Sequence, residues 1–424
     1  MTDSYLDGAW AEAGIVSRES LLTLRKIDSD LEGHPTPRLP WIDVATGSLG
    51  QGICATAGMA YCAKYFEKRP ETAFFCLLGD GEMAEGSVWE AMNFASHYEL
   101  DNLVIIVDMN RLAQSEPTMF QHKTEQMAKR CDAFGFNTLD IDGHDVDAVS
   151  AALLTARDTR KGKPHAIIAK TFKGKGFPAI EDKHGFHGKP LAGAATEVLA
   201  TIEAEVVNKA LLAADAPLIP VNPAPEEAKF PGSGALAGPA PAYKLGEVVA
   251  TRNAFGTGLR GIGADERIVS VDADVQNSTM SATFGKEYPA RQVQGYIAEQ
   301  NAVGVATGIA TRGRVAFVST FAAFFTRAAD FIRMCGISEV PVKYVGSHVG
   351  VSIGEDGTSQ MGLEDLALFR AIPNAAVLYP SDAVSAERAV VLAANYPGIA
   401  YIRTTRGGTP VVYDTDAVFE IGKA

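Results

Sequence analysis

The sequence predicts an α/β protein of two successive domains, each a mostly parallel sheet flanked by helices. Short apolar runs of strand length alternate with helical patterns, a proline-rich stretch interrupts the alternation once, and the alternation resumes beyond it. In chain order, strands are expected at 73–78, 103–108 and 165–171. Between the first two, Val88, Ala91, Met92 and Ala95 recur at i, i+3, i+4 and i+7, the spacing of one helix face. The runs Ala73–Leu78 and Leu103–Val107 read as buried parallel strands and are far too short to cross a membrane. From Pro217 to Pro241, prolines at 217, 220, 223, 225, 231, 239 and 241 alternate with Ala, Gly and Ser, the composition of an extended linker. Beyond it, strands are expected near 267–272, 293–297, 314–319, 341–346, 375–379 and 398–403, with a helix at 381–395 capped by Ser381. The boundaries are therefore 1–216, a linker at 217–243, and 244–424, with no short internal repeat.

Composition narrows the function. Lys and Arg number 38 against 51 Asp and Glu, a net charge of −13 over 424 residues, which argues against nucleic acid or an anionic membrane as the main partner. An anionic ligand must be held by local positive groups. Cys54, Cys62, Cys76, Cys131 and Cys335 are scattered without a CxxC pair, which suits reduced thiols and neither a disulfide framework nor a zinc knuckle. Met1–Gly8 is polar and Ala9–Glu12 too mixed for a signal sequence, so a cytoplasmic location is expected.

The segment richest in chemistry is the strand ending Leu77-Leu78, the turn Gly79-Asp80-Gly81-Glu82, a helix, and the strand 103–107 ending Asp108-Met109-Asn110. Neighbouring parallel strands place their carboxyl ends side by side, so Asp80 and Asn110 converge where doubly wound sheets bind ligands. Two oxygen ligands, flanking glycines and a following helix N-terminus suit Mg²⁺ or Ca²⁺ bridging a diphosphate; a plain Gly-Asp-Gly turn with a solvated Asn is the alternative. Gly47–Gly52 lacks the dinucleotide GxGxxG spacing, and Lys173–Gly176 lacks the ending of a P-loop.

Five motifs together resemble transketolase, nearest its animal-type branch. They are Asp43-Val-Ala-Thr-Gly-Ser-Leu-Gly-Gln-Gly52, Gly79-Asp-Gly-Glu82 with Asn110, Tyr296-Ile-Ala-Glu-Gln-Asn301, Ser319-Thr-Phe-Ala-Ala-Phe-Phe325 and Gly354-Glu-Asp-Gly357. The resemblance implies two thiamine-diphosphate-binding domains, a diphosphate-binding one and a pyrimidine-binding one. It also implies transfer of a two-carbon ketol unit from a ketose phosphate to an aldose phosphate through a thiamine diphosphate carbanion, as in the pentose phosphate pathway. By the same resemblance Glu299 engages the aminopyrimidine, Phe321 and Phe324 line its pocket, and Asp80, Asn110 and the Leu112 carbonyl hold the metal. Gly47, Ser48, Leu49, Gly79, Gly81, Lys173 and Gln360 fall among cofactor-binding positions. Glu85 matches a catalytic carboxylate at the subunit interface, touching the partner's cofactor Glu. His34 and His187 match histidines of the substrate channel, with His187 also beside the cofactor. His348 and Asp356 match groups near the sugar hydroxyls, and Arg252, Ser278 and Arg406 the phosphate-holding set. A homodimer with interface active sites is expected. The family's pattern also has a segment upstream of position 1, carrying two further histidines, and a third domain beyond position 424, so a shortened transketolase is the expectation. Two alternatives stand: an incomplete or non-catalytic module needing a partner chain, and another thiamine diphosphate enzyme such as a deoxyxylulose-phosphate synthase.

Overall fold

A computed structural model describes residues 2–189, 196, 199–200 and 234–423. Contacts divide the chain into two units, Met1–Ile42 with Ala73–Ala228, and Asp43–Thr72 with Lys229–Ala424.

The first unit is built on four parallel strands, β1 (Phe74–Gly79), β2 (Leu103–Met109), β3 (Asn137–Asp142) and β4 (His165–Lys170), in the order β1-β2-β4-β3. The β1–β2 register pairs Gly79 with Asp108, which brings the two strand ends level. The helix Gly86–His97 turns Val88, Ala91, Met92 and Ala95 inward as the periodicity predicts, and also buries Phe94. On the other side the helix Val146–Asp158 packs Ala152 and Ala156 against Val104 and Ile167. One expectation fails here: the run 73–78 is not buried on both faces, for Phe75 is 45% and Leu77 52% exposed while Cys76 and Leu78 point inward. β3 went unpredicted, because Asn137-Thr-Leu-Asp-Ile-Asp142 is a half-polar strand at the sheet edge.

The second unit carries six parallel strands in the order β10-β11-β9-β8-β6-β7, together with a two-stranded antiparallel ribbon of β5 (Val248–Ala250) and β12 (Gly408–Pro410). The six are β6 (Ile268–Asp272), β7 (Gln292–Gln294), β8 (Val315–Phe321), β9 (Lys343–Ser347), β10 (Ala376–Leu378) and β11 (Ala400–Arg403). Phe255, Leu259, Phe284, Phe317, Val390 and Ile402 form its principal core. The last long helix runs Ala383–Asn395, and its N-cap is Asp382 rather than Ser381: the Asp382 carboxylate accepts from the Ser385 N–H at 2.8 Å, while Ser385 Oγ accepts from the Asp382 N–H at 3.1 Å. Both residues are good cap formers, and the reciprocal bond decides between them.

Residues 43–72, placed by sequence in the first domain, group with the second unit, because the helix Gly52–Tyr61 lies against the helix Glu299–Thr311 with glycines at the crossing. A Cβ on Gly58 would stand 2.2 Å from the Val305 carbonyl oxygen, and one on Gly308 would stand 1.9 Å from that of Ala55. Of the predicted linker, residues 217–233 lie outside the described residues. Its end is docked on the second unit: Leu236 is buried and exchanges two hydrogen bonds with the Asn395 side chain, at 2.7 and 2.8 Å. All five cysteines are buried and unbridged. Among the described residues no helix is long and apolar enough to cross a membrane.

Candidate functional site

On the first unit the level ends of β1 and β2 bring Asp80 against the Asn110–Leu112 turn. Asp80 is buried and accepts from the Arg111 N–H at 2.7 Å, Thr118 Oγ1 at 2.8 Å and the Gly81 N–H at 3.0 Å. Burial raises its pKa against the pull of those donors, and Asp108 adds to the rise. Asn110 is oriented on both sides of its amide, Nδ2 donating to Asp108 at 2.9 Å and Oδ1 accepting from the Leu112 N–H at 3.2 Å. Arg111 takes φ of 63°, a conformation uncommon outside glycine, and is held there by its bond to Asp80 and an ion pair with Asp182 at 2.6 Å.

Lys173 reaches into the same place. Its ammonium donates to the Leu112 carbonyl and lies 3.0 Å from that oxygen and from His187 Nδ1. Burial lowers the Lys173 pKa while Asp80 and Asp108 oppose the shift; the His187 pKa is lowered by desolvation, by Lys173 and by His34. Two carboxylates thus face one cation, and that cation already sits on the Leu112 carbonyl. Carboxylate, amide oxygen and backbone carbonyl make a hard donor set with surplus negative charge, so these residues fit a divalent cation. Gly79 and Gly81 flank it; Glu85 is exposed at the N-cap of the helix Gly86–His97, and His34 is exposed.

On the second unit the parallel strands deliver their candidates to one carboxyl edge. Glu299 follows β7, Phe321 ends β8, His348 follows β9 and Arg406 follows β11. Glu299 is 3% exposed in the first turn of its helix, where the helix dipole favours a carboxylate, and is ion-paired to Arg327. Arg327 went unnoticed in sequence; Ser319–Phe325 ends two residues before it, and only the fold returns its guanidinium to Glu299. Phe321 stacks on Phe324 with centroids 5.0 Å apart, and on its other face His348 stacks at 3.8 Å. His348 is buried at φ of 60°, and its Nδ1 is 2.8 Å from Ser347 Oγ. Burial, then Arg252 and Arg406, bring its pKa down to about 4, so the imidazole is neutral near pH 7.

The predicted anion-holding residues meet beside that histidine. Arg252 Nη1 donates to the Ser278 carbonyl at 3.0 Å, and its Nε is buried with no hydrogen-bond partner. Burial and then Arg406 lower the Arg252 pKa. Arg406 is held by the Ile353 carbonyl at 2.9 Å, Glu355 at 2.7 Å and Asp356 at 3.2 Å. Thr251 and Thr405, next to the two arginines in sequence, bond each other, with the Thr405 N–H donating to Thr251 Oγ1 at 2.8 Å. The loop from His348 to Gln360 is tied at its base to Gly362, whose carbonyl accepts from the Gly350 N–H at 2.8 Å and from buried Arg403 at 2.9 Å. Gly47, Ser48 and Leu49 belong to this unit. Ser48 donates to the Asp330 carboxylate, which Gln51 Nε2 also reaches at 2.7 Å.

Residues 15–204 match the model of the transketolase thiamine diphosphate binding domain, and residues 247–411 that of the transketolase pyrimidine binding domain. Transketolase-like protein 2 of Mus musculus is 53% identical over 422 residues, and the transketolase of Homo sapiens 51% over 423. Each alignment covers 99% of this chain and 66% of the relative, so the chain spans just under two thirds of the length of these relatives. Among solved structures, the transketolase of Campylobacter jejuni superposes with a TM-score of 0.79 at 24% identity, covering 96% of this chain and 69% of that one. A Pichia stipitis transketolase variant in complex with fructose 6-phosphate gives 0.75 at 25% identity, covering 92% and 66%.

Proposed function

Because the chain belongs to the transketolase family, with two thiamine-diphosphate-binding domains of mostly parallel sheet, we propose that it transfers a two-carbon ketol unit from a ketose phosphate to an aldose phosphate. The observation that carries this reading is the single carboxyl edge of the second sheet. There a buried carboxylate (Glu299), a stack of three flat rings (Phe324, Phe321, His348) and a half-buried guanidinium whose Nε is a spare donor (Arg252) lie on neighbouring elements. Thiamine diphosphate, when bound, supplies the nucleophilic carbon and electron sink that the side chains lack.

The chain's own residues do the rest. Glu299 would hydrogen-bond the pyrimidine ring, and Phe324, backed by Phe321, would offer it an apolar face. Asp80, Asn110 and the Leu112 carbonyl hold Mg²⁺ or Ca²⁺, while Lys173 and His187 face the diphosphate and Gly79 and Gly81 let it approach. Gly47, Ser48, Leu49 and Gln360 complete the cofactor contacts. His348, with His34 and His187, handles protons on the sugar oxygens, and Asp356 accepts from a sugar hydroxyl. Arg252, Ser278 and Arg406 hold the phosphate, to which a guanidinium fork is suited. The active unit is a homodimer in which Glu85 faces the partner's cofactor carboxylate, and the enzyme works in the cytoplasm.

Titration calorimetry with thiamine diphosphate and Mg²⁺, followed by assay with xylulose 5-phosphate and ribose 5-phosphate, tests the reading. Tight binding with sedoheptulose 7-phosphate formation is expected. A second reading, a module that works beside another polypeptide, is favoured by the exposed Phe75 and Leu77 on a parallel sheet, a type usually covered on both faces. Absence of cofactor binding is its outcome in the same titration.

A further inference from the structure

We propose that Asp272 is a positioning residue for the phosphate end of this site: a buried carboxylate that fixes the turn 273–281 and thereby sets Ser278 against Arg252. The inference rests on the reading of Arg252, Ser278 and Arg406 as the phosphate-holding set.

Asp272 ends β6 and is fully buried, yet no ion pair reaches it among the described residues. A buried carboxylate without a cation is costly unless its oxygens are satisfied in another way. They are satisfied entirely from the turn that follows. Oδ1 accepts from the Val275 N–H at 2.7 Å, and Oδ2 from Thr279 Oγ1 and Ser281 Oγ, both at 2.8 Å. Burial, opposed by these three donors, pushes the Asp272 pKa up to about 6.

The turn needs such a clamp. Asp274 and Met280 both take positive φ, 64° and 69°, a conformation that L-residues rarely adopt unless the surroundings hold them in it. Between them lies the single helical turn Gln276–Thr279, which carries Ser278. The Ser278 carbonyl receives Arg252 Nη1, so the place of the guanidinium follows the place of the turn. The helix bearing Arg252 presses on the same turn, where a Cβ on Gly256 would stand 2.5 Å from the Met280 carbonyl oxygen. Asp272 itself touches neither arginine; it acts through Ser278.

A carboxylate that merely closed a turn would, on removal, lower stability and weaken every ligand alike. A positioning carboxylate makes a selective difference, which the full chain reads by titration with ribose 5-phosphate, ribose and inorganic phosphate. Asp272→Ala is expected to weaken ribose 5-phosphate and phosphate about tenfold while ribose stays within about twofold. Asp272→Asn, which keeps an oxygen for the Val275 N–H and an amide for two hydroxyls able to turn and accept, is expected to recover most of the loss. Ser281→Ala, which removes one donor and leaves the charge, is expected to cost roughly threefold, and it carries the test should the alanine variant at 272 not fold. Equal losses for ribose and ribose 5-phosphate, or no loss in any folded variant, overturn the inference. If the unmodified chain does not prefer ribose 5-phosphate to ribose, the reading of the phosphate end falls and takes the inference with it. A preference that is present and unmoved by the variants removes the inference alone.

Discussion

Replacing Gly308 by alanine should separate two helices that touch backbone to backbone. The new Cβ would stand 1.9 Å from the Ala55 carbonyl oxygen and 2.8 Å from the Met59 nitrogen. A carbon and an oxygen in ordinary contact are more than 3 Å apart, so the helix Glu299–Thr311 must withdraw from Gly52–Tyr61 by about 1 Å. No rotamer change relieves the clash, since the obstructing atoms are main chain. The withdrawal also loosens the contacts that Gly58 makes with Val305 and Gly304 with Cys54, on the same pair of helices. Overpacking costs about 1–3 kcal/mol, and a clash with main chain takes the upper part of that range, about 2–3 kcal/mol; the better helix propensity of alanine returns about 1 kcal/mol, leaving a net loss of about 1–2 kcal/mol. Urea unfolding followed by circular dichroism measures it, with Gly86→Ala as the comparison. Gly86 also lies in a helix, but its Cβ would meet nothing within 4 Å, so that variant should be neutral or gain up to about 1 kcal/mol. Because Glu299 opens the displaced helix, thiamine diphosphate affinity should fall in Gly308→Ala and hold in Gly86→Ala. An unchanged urea midpoint in Gly308→Ala would refute the reasoning.

Three further outcomes are expected. Asp80→Ala removes the one carboxylate of the proposed metal set and should raise the Mg²⁺ concentration needed for thiamine diphosphate binding roughly a hundredfold, read by titration at fixed cofactor; an unchanged requirement places the metal elsewhere. Glu299→Ala should leave the fold and most cofactor affinity intact and abolish ketol transfer; full transfer in that variant would end its catalytic assignment. His348 has a folded pKa of about 4 against 6.5 unfolded, so the unfolded chain binds more protons between those values. The stability held by its neutral ring is therefore full above pH 6.5 and lost as pH falls toward 4. His348→Gln should flatten the fall of stability over that window, measured by urea unfolding at stepped pH.

Much of the fold was legible because strands buried on both faces announce themselves as apolar runs. The positions of β2, β4, β6, β8, β9 and β11 follow such runs within a few residues. β3 escaped because an edge strand alternates polar and apolar residues, and Phe75 and Leu77 misled because a run of apolar residues does not say whether anything covers them. Asp80 and Asn110 could be paired from sequence, since the carboxyl ends of adjacent parallel strands must lie together. Asp272 and Arg327 could not. Nothing local distinguishes one Asp among many as buried, and the partner of Glu299 is 28 positions away. The regrouping of 43–72 likewise rests on glycines at two distant places: Gly58, Gly304 and Gly308 read singly as small residues, and only their apposition shows a helix crossing.

The five buried thiols give each unit its own clock. Cys76 and Cys131 lie in the first unit, and Cys54, Cys62 and Cys335 in the second. Burial pushes the Cys62 and Cys131 thiols up to about 12, so almost no reactive thiolate exists at neutral pH while the fold is closed. Alkylation must wait for local opening, and its rate at each position reports how often that part of the molecule opens. Mass-resolved labelling over hours would thus time the two units separately, in one sample, without denaturant or an engineered probe.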